Sequence, residues 1–215
     1  MKKLAIMGSG NGSNFEAIVK YFENKEGKDI EITCLSDVED AFILERAKKL
    51  GVKFEILPCD KNFQFFSQNE FDLVALAGYM QILPEDVLSL SNFINIHPSL
   101  LPSFKGKDAI TQAFLAGVKV SGATIHRVEK NIDEGKIIAQ YPVFIDSSMS
   151  LGEFEDEVHA IEHKLYPIVI EKVLEDKVFD FQDLMKSSCN NKTSGGGCGD
   201  HSSDNKSGGC KGCQH

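Results

Sequence analysis

Leu4-Ala5-Ile6-Met7-Gly8-Ser9-Gly10-Asn11-Gly12-Ser13-Asn14-Phe15 is the stretch that decides the fold. Four consecutive apolar residues read as a short strand buried on both faces. Gly8, Gly10 and Gly12 then turn the chain, and Phe15, Ile18, Val19 and Phe22 fall at helical spacing. Strand, glycine loop and helix in that order open a βαβ unit. Outward from it, residues 30–35 predict a second strand, 41–50 a helix closed by Gly51, and 52–57 a third strand stopped by Pro58. Residues 71–77 and 93–96 are two more apolar runs. The rhythm predicts an α/β fold built on a mostly parallel, doubly wound sheet.

The second half changes character. Residues 118–128 and 136–145 read as longer antiparallel strands around the turn Asn131-Ile132-Asp133-Glu134-Gly135. In 151–174 the apolar positions Phe154, Val158, Ile161, Leu165, Ile168, Val169 and Val173 keep helical spacing through Pro167, predicting one long helix kinked at the proline. After Met185 no large apolar residue remains. Residues 1–186 therefore form the expected globular domain, and 187–215 a Gly/Cys/His-rich tail, disordered unless a metal orders it.

Of the 215 residues, 42% are hydrophobic and 26% charged, enough to bury one α/β core. The net charge of −9 is uneven, because residues 186–215 carry four Lys against two acids and leave −11 on the rest. An acidic body argues against nucleic acid or an anionic membrane as partner, so an anionic substrate has to be held by local devices such as backbone amides at a helix start. No apolar run approaches the ~20 residues of a membrane span. Met1-Lys2-Lys3 imitates a signal sequence, but Gly8 cuts the apolar run short, and a cytoplasmic protein is expected. Cys34 and Cys59, in apolar surroundings, are expected to be small reduced core residues.

Three places can carry chemistry. The loop 8–14 fits a phosphate, since glycines let amides turn inward and the next helix adds partial positive charge. It lacks the Gly-Lys-Ser/Thr of a P-loop, and Ser13 stands where a dinucleotide fingerprint needs its third glycine. The plainer alternative is a tight turn with Ser13 or Asn14 as N-cap. In Asn95-Ile96-His97-Pro98-Ser99-Leu100-Leu101-Pro102, Asn95 lies at the carboxyl end of a buried strand, and two-residue alternation turns Asn95 and His97 to one face. An amide donor beside an imidazole can stabilise an oxyanion and move a proton, as acyl transfer requires. The alternative is a buried pair satisfying backbone groups. Asp133, in the turn, can project toward the sheet end and favour a positive charge on His97, or be an ordinary turn aspartate.

With Gly12-Ser13-Asn14, Ala77-Gly78-Tyr79-Met80-Gln81-Ile82-Leu83, Asn95 to Pro102, Ser121-Gly122-Ala123-Thr124-Ile125-His126 and Asp133-Glu134-Gly135-Lys136-Ile137-Ile138, the chain resembles the phosphoribosylglycinamide formyltransferase family from Met1 to about Lys177. The resemblance implies transfer of a formyl group from 10-formyltetrahydrofolate to the amine of glycinamide ribonucleotide in purine synthesis, without metal or nicotinamide, by a monomer or homodimer. It also implies roles for individual residues. Asn95, His97 and Asp133 match the catalytic trio, Gly12, Ser13 and Asn14 the phosphate loop, and Glu162 an acid on the ribotide. Met80, Gln81, Ile82 and Leu83, with Asn95, match the folate side, and His126 a supporting histidine. Lys61 is a candidate for the folate glutamate end. Gln81, Glu134 and His159 depart from the usual residues, and 60–70 is shortened.

Formyltetrahydrofolate hydrolase resembles the chain at the same trio but is expected to carry an extra amino-terminal domain, and methionyl-tRNA formyltransferase a carboxyl-terminal one. A nicotinamide oxidoreductase would use Asp37 as its ribose acid. A metal-handling reading rests on the tail, where Cys198, His201, Cys210 and Cys213, with Cys189 and His215 as spares, suit tetrahedral zinc.

Overall fold

The computed structural model describes residues 1–25 and 29–182. Cys189, Cys198, His201, Cys210, Cys213 and His215, and with them the zinc expectation, lie outside the described residues. The elements run β1 Lys2–Met7, α1 Ser13–Glu23, β2 Ile30–Ser36, α2 Phe42–Lys49, β3 Lys53–Ile56, α3 Asn62–Gln68, β4 Leu73–Leu76, α4 Glu85–Leu88, β5 Phe93–His97, α5 Ala109–Leu115, β6 Val120–Arg127, β7 Ile137–Phe144 and α6 Leu151–Leu174.

They build one seven-stranded sheet in the order β3-β2-β1-β4-β5-β6-β7. The pairs from β3 to β5 are parallel, and β6 and β7 are antiparallel, as the sequence predicted. The chain winds outward from β1 to β3, then returns to place β4 on the other side of β1. That reversal is a topological switch point, and a crevice opens at the carboxyl ends of β1 and β4.

Alternation sorts the core into layers. Leu4 and Ile6 of β1 face Phe15, Ile18, Ile43 and the carboxyl half of α6, while Ala5 and Met7 face Leu35, Phe66, Leu83 and Val87. A third cluster joins Ile110 and Ala113 of α5 to Val143, Phe154 and Val158. α6 starts in a reciprocal capping box, with the Ser150 hydroxyl accepting from the Glu153 amide and the Glu153 carboxylate from the Ser150 amide. It continues as one helix through Pro167. The fully buried Tyr166 hydroxyl, 2.9 Å from the Leu76 carbonyl and 3.2 Å from that of Ile94, ties the helix to adjacent strands.

The expectation for the body cysteines is corrected in part. Cys34 is buried, and desolvation pushes its thiol up to about 12, but Cys59 is exposed in the short 3-10 turn after β3 and is not a core residue. Leu57 is still buried, but Pro58, Cys59 and Asp60 are all exposed, so the chain has left the sheet by Cys59.

Candidate active site

At the switch point the loops after β1 and β4 touch. The Ser9 amide donates to the Gly78 carbonyl at 3.0 Å, and a Cβ on Gly8 would lie 2.8 Å from the Ala77 carbonyl oxygen. Gly12 has φ 77° and ψ 25°, and a Cβ there would stand 2.6 Å from Ile43 Cβ, so both shape and packing demand glycine. Gly12 is itself the N-cap of α1, with no side-chain cap bond. The N-cap role allowed for Ser13 or Asn14 is thereby corrected. The first-turn amides of α1 have no acceptor inside the helix and stay available to a ligand. From behind, Arg46 Nε donates to the Asn11 carbonyl at 2.9 Å and its guanidinium pairs with Glu16.

A cleft of about 960 Å³ runs from this loop across the sheet end. It is lined by Gly12, Ser13, Asn14, Met80, Gln81, Ile82, Leu83, Asn95, His97, His126, Asp133, His159 and Glu162, so residues spread over 150 positions converge. Lys61 is exposed and not among the lining residues.

The geometry of the trio fixes more than the spacing could. His97, 4% exposed, is 2.8 Å through Nε2 from the Phe104 carbonyl. A carbonyl only accepts, so the Nε2 proton is held there and Nδ1 is left for chemistry. Nδ1 faces Asp133 Oδ2 at 3.4 Å. Phe104 itself adopts φ 55°, which turns its carbonyl into this position.

Asn95 lies directly opposite His126 in the antiparallel register of β5 and β6. His126 Nδ1 is 2.7 Å from the Arg127 carbonyl, so its Nε2 can accept from Asn95 Nδ2 at 3.3 Å. One of the two Asn95 amide hydrogens is spent on orientation, and the second remains for a ligand. His126 Nε2 also stands 3.5 Å from Asp133 Oδ1.

Asp133 is drawn in by the Gly106 amide, which donates to Oδ2 at 2.8 Å. Burial pushes its carboxyl up, but the contact with His126, the Gly106 hydrogen bond and the neighbouring imidazoles outweigh that and leave it below the usual value. The loop beyond His97 hangs on Thr124, whose hydroxyl donates to the Ser99 carbonyl at 2.6 Å and accepts from the Leu101 amide at 3.1 Å. The Leu101–Pro102 bond is cis.

Beside the glycine loop, buried Glu162 accepts from Asn14 Nδ2 at 3.0 Å, and His159 Nδ1 lies 3.0 Å from the same oxygen. On the other wall Met80 and Ile82 are 60% and 70% exposed, an apolar lip suited to a flat ring. Behind that lip Asp37 accepts from Ser9 Oγ at 2.6 Å and from Gln81 Nε2 at 3.0 Å, while Ser9 Oγ accepts from the Met80 amide. Asp37 is thus committed to holding two loops together and is not the free ribose acid of a nicotinamide site.

Sequence reasoning missed Phe104, Ser9 and the restraint on Gly135, where a Cβ would fall 1.8 Å from the Arg127 carbonyl oxygen. A serine inside a glycine loop could have flagged Ser9; nothing local announces a carbonyl contact such as that of Phe104. Among the described residues no cluster of His, Cys, Asp and Glu has the grouping of a metal site, and no helix is long and apolar enough to cross a membrane.

Residues 2–170 match the family described as Formyl transferase. The phosphoribosylglycinamide formyltransferase of Bacillus subtilis (strain 168) is 42% identical over 186 residues, covering 81% of this chain and 95% of that protein. Among solved structures, glycinamide ribonucleotide transformylase 1 of Symbiobacterium toebii is 32% identical with a TM-score of 0.76, covering 82% of this chain and 89% of that one. The transformylase 1 of Geobacillus kaustophilus is 36% identical with a TM-score of 0.76, covering 81% and 99% respectively.

Proposed function

The chain belongs to the formyl transferase family, and we propose that its cleft moves the formyl group of 10-formyltetrahydrofolate onto the amine of 5-phosphoribosylglycinamide, with Asn95, His97 and Asp133 as the reacting constellation. The activity is that of a one-carbon group transferase of purine biosynthesis. The observation that carries the residue assignment is the meeting of Asn95, His97 and Asp133 in one cleft that also takes in the open amides of α1 and the apolar lip of Met80 and Ile82.

The ribotide phosphate sits at the start of α1, on the amides of Gly12, Ser13 and Asn14, where the helix supplies attraction that an acidic protein otherwise lacks. Glu162 lies beside it and orients Asn14. The pterin ring of the folate lies against the 80–83 segment, with Met80, Gln81, Ile82 and Leu83 presenting backbone and apolar surface. The two ends place the ribotide amine and the formyl carbon within reach of each other, which removes much of the entropic barrier.

Attack of the neutral amine on the formyl carbon creates a tetrahedral centre bearing an oxyanion. The second hydrogen of Asn95 Nδ2 stabilises it as a donor already in place, and His97, held through Nε2 with Nδ1 free for chemistry, lies beside the same centre. Asp133, 3.4 Å from His97 Nδ1, orients that ring and accepts from a water that carries the amine proton toward the departing folate nitrogen. No covalent bond to the protein forms. In the competing hydrolase reaction water takes the place of the amine, and the open amides of α1 would have no use. Incubation with 10-formyltetrahydrofolate, with and without the ribotide, separates the two. Formyl transfer dependent on ribotide is expected; release at the same rate without it would establish the hydrolase.

A further inference from the structure

Beyond the reacting centre, the phosphate end of the cleft contains a titratable arrangement that formyl transfer itself does not use. Glu162, 3% exposed, takes Asn14 Nδ2 and His159 Nδ1 on one oxygen, each at 3.0 Å. A carboxylate accepts and does not donate, so the His159 proton lies on Nδ1. In the neutral ring Nε2 therefore carries a lone pair, which repels an anion. Only a second proton makes Nε2 a donor, and then a charge-assisted one, roughly twice as strong as a neutral hydrogen bond.

The placement suits an anion. His159 lines the cleft together with Gly12, Ser13 and Asn14, and its side chain is 48% exposed. Because Asn14 and His159 share one oxygen of Glu162, the histidine is anchored to the first turn of α1, whose amides face the same space.

The charged surroundings favour a cation at this position. Glu155, Asp156 and Glu162 of α6 all act to raise the His159 pKa, the Glu162 hydrogen bond most of all, and the net direction is upward despite partial burial. His163 stacks beneath at 6.5 Å between ring centroids, and burial lowers its own pKa, so it remains the neutral partner of the two. Arg46 of α2, whose charge acts on His163, is engaged by Glu16 of α1, and Lys107 and Asp108 line the cleft from the segment before α5.

Resting on the ribotide reading above, we propose that binding of the substrate's phosphate monoester draws a proton onto His159, so that Nε2–H closes on the phosphate while Nδ1–H stays on Glu162. His159 is then a positioning residue that makes ribotide affinity depend on pH. Its charge is present below its raised pKa and is lost as pH rises through it. A neutral amide at the same position has no such dependence.

The test is the KM for ribotide of the wild type and of His159→Gln between about pH 6 and about pH 8.5, the range in which a histidine with raised pKa titrates. Taking the ratio of the two cancels the ionisations of the ribotide's own phosphate and amine. At the acid end the variant's KM should be about tenfold higher, equivalent to ~1.4 kcal/mol, and the ratio should fall toward one at the alkaline end while the kcat ratio stays level. A KM ratio that does not change with pH overturns the proposal. No formyl transfer by the wild type would instead remove the ribotide reading on which it rests. A second measurement needs no variant kinetics: the proton NMR titration of the His159 ring with and without saturating ribotide. The midpoint should move up on binding, and an unmoved midpoint also overturns the proposal.

Discussion

Replacing Asn95 with alanine isolates one donor whose two hydrogens have separate duties. One points to His126 Nε2 at 3.3 Å and the other is available to the developing oxyanion. Loss of the second removes transition-state stabilisation of about 3 kcal/mol, or at least about 100-fold in kcat, by analogy with other oxyanion donors. Loss of the first leaves a buried His126 nitrogen without its neighbour, a cost of about 1 kcal/mol in stability. For a domain of this size that lowers Tm by about 2–4 °C. The ribotide and folate ends of the cleft are untouched, so both KM values should stay within about threefold, the usual signature of an interaction made only in the transition state. The assay is steady-state conversion of the folate, with thermal unfolding on the same preparation. A folded Asn95→Ala protein whose kcat falls less than about tenfold would refute the oxyanion assignment.

The remaining expectations concern charge, tethering and the tail. Asp133 has a lowered pKa in the folded protein, so it contributes stability above its unfolded value of about 4, lost as pH falls through the lower folded one. The stability gap between wild type and Asp133→Asn should therefore narrow as pH falls below about 4 in urea titrations; a gap that keeps its size on acidification below that point contradicts this. Tyr166→Phe should cost about 1–2 kcal/mol in denaturant unfolding, because two buried carbonyls lose their shared hydroxyl. Truncation after Lys186 is expected to leave kcat and both KM values unchanged, since residues 187–215 hold no large apolar side chain to dock them; a large loss of turnover in the folded, truncated protein would assign the tail a part in the site.

Much of this site could be read from periodicity alone. Four apolar residues before Gly8 announce a doubly covered strand, and alternation brings Asn95 and His97 to one face without any knowledge of the fold. What could not be read depends on contacts distant in sequence. The proton position on His97 follows from a carbonyl seven residues away whose direction is set by a positive φ at Phe104. Asp37 looked free because the hydroxyl of Ser9 and the amide of Gln81, which occupy it, come from two other loops. Cys59 was misread because apolar neighbours in sequence are not neighbours in space once Pro58 has turned the chain. The companionship of His159 and Glu162 is visible at helical spacing, but that of Glu162 with Asn14 spans 148 positions.

The last of these contacts bears on how the protein is made. Among the described residues every strand and the whole trio precede residue 150, yet Glu162, His159 and the Tyr166 tether all arrive with α6. A ribosome that has exposed β1 to β7 has produced a nascent chain with its catalytic groups specified and one flank of its sheet uncovered, with Leu4, Ile6, Ile94 and Ile125 still without the α6 side chains that cover them. Such an intermediate is prone to self-association and cannot clamp ribotide. Completion of α6 both seals the sheet and completes the phosphate end, so competence to bind substrate emerges together with the finished core, and saturating ribotide should speed recovery from denaturant only at steps after α6 has docked.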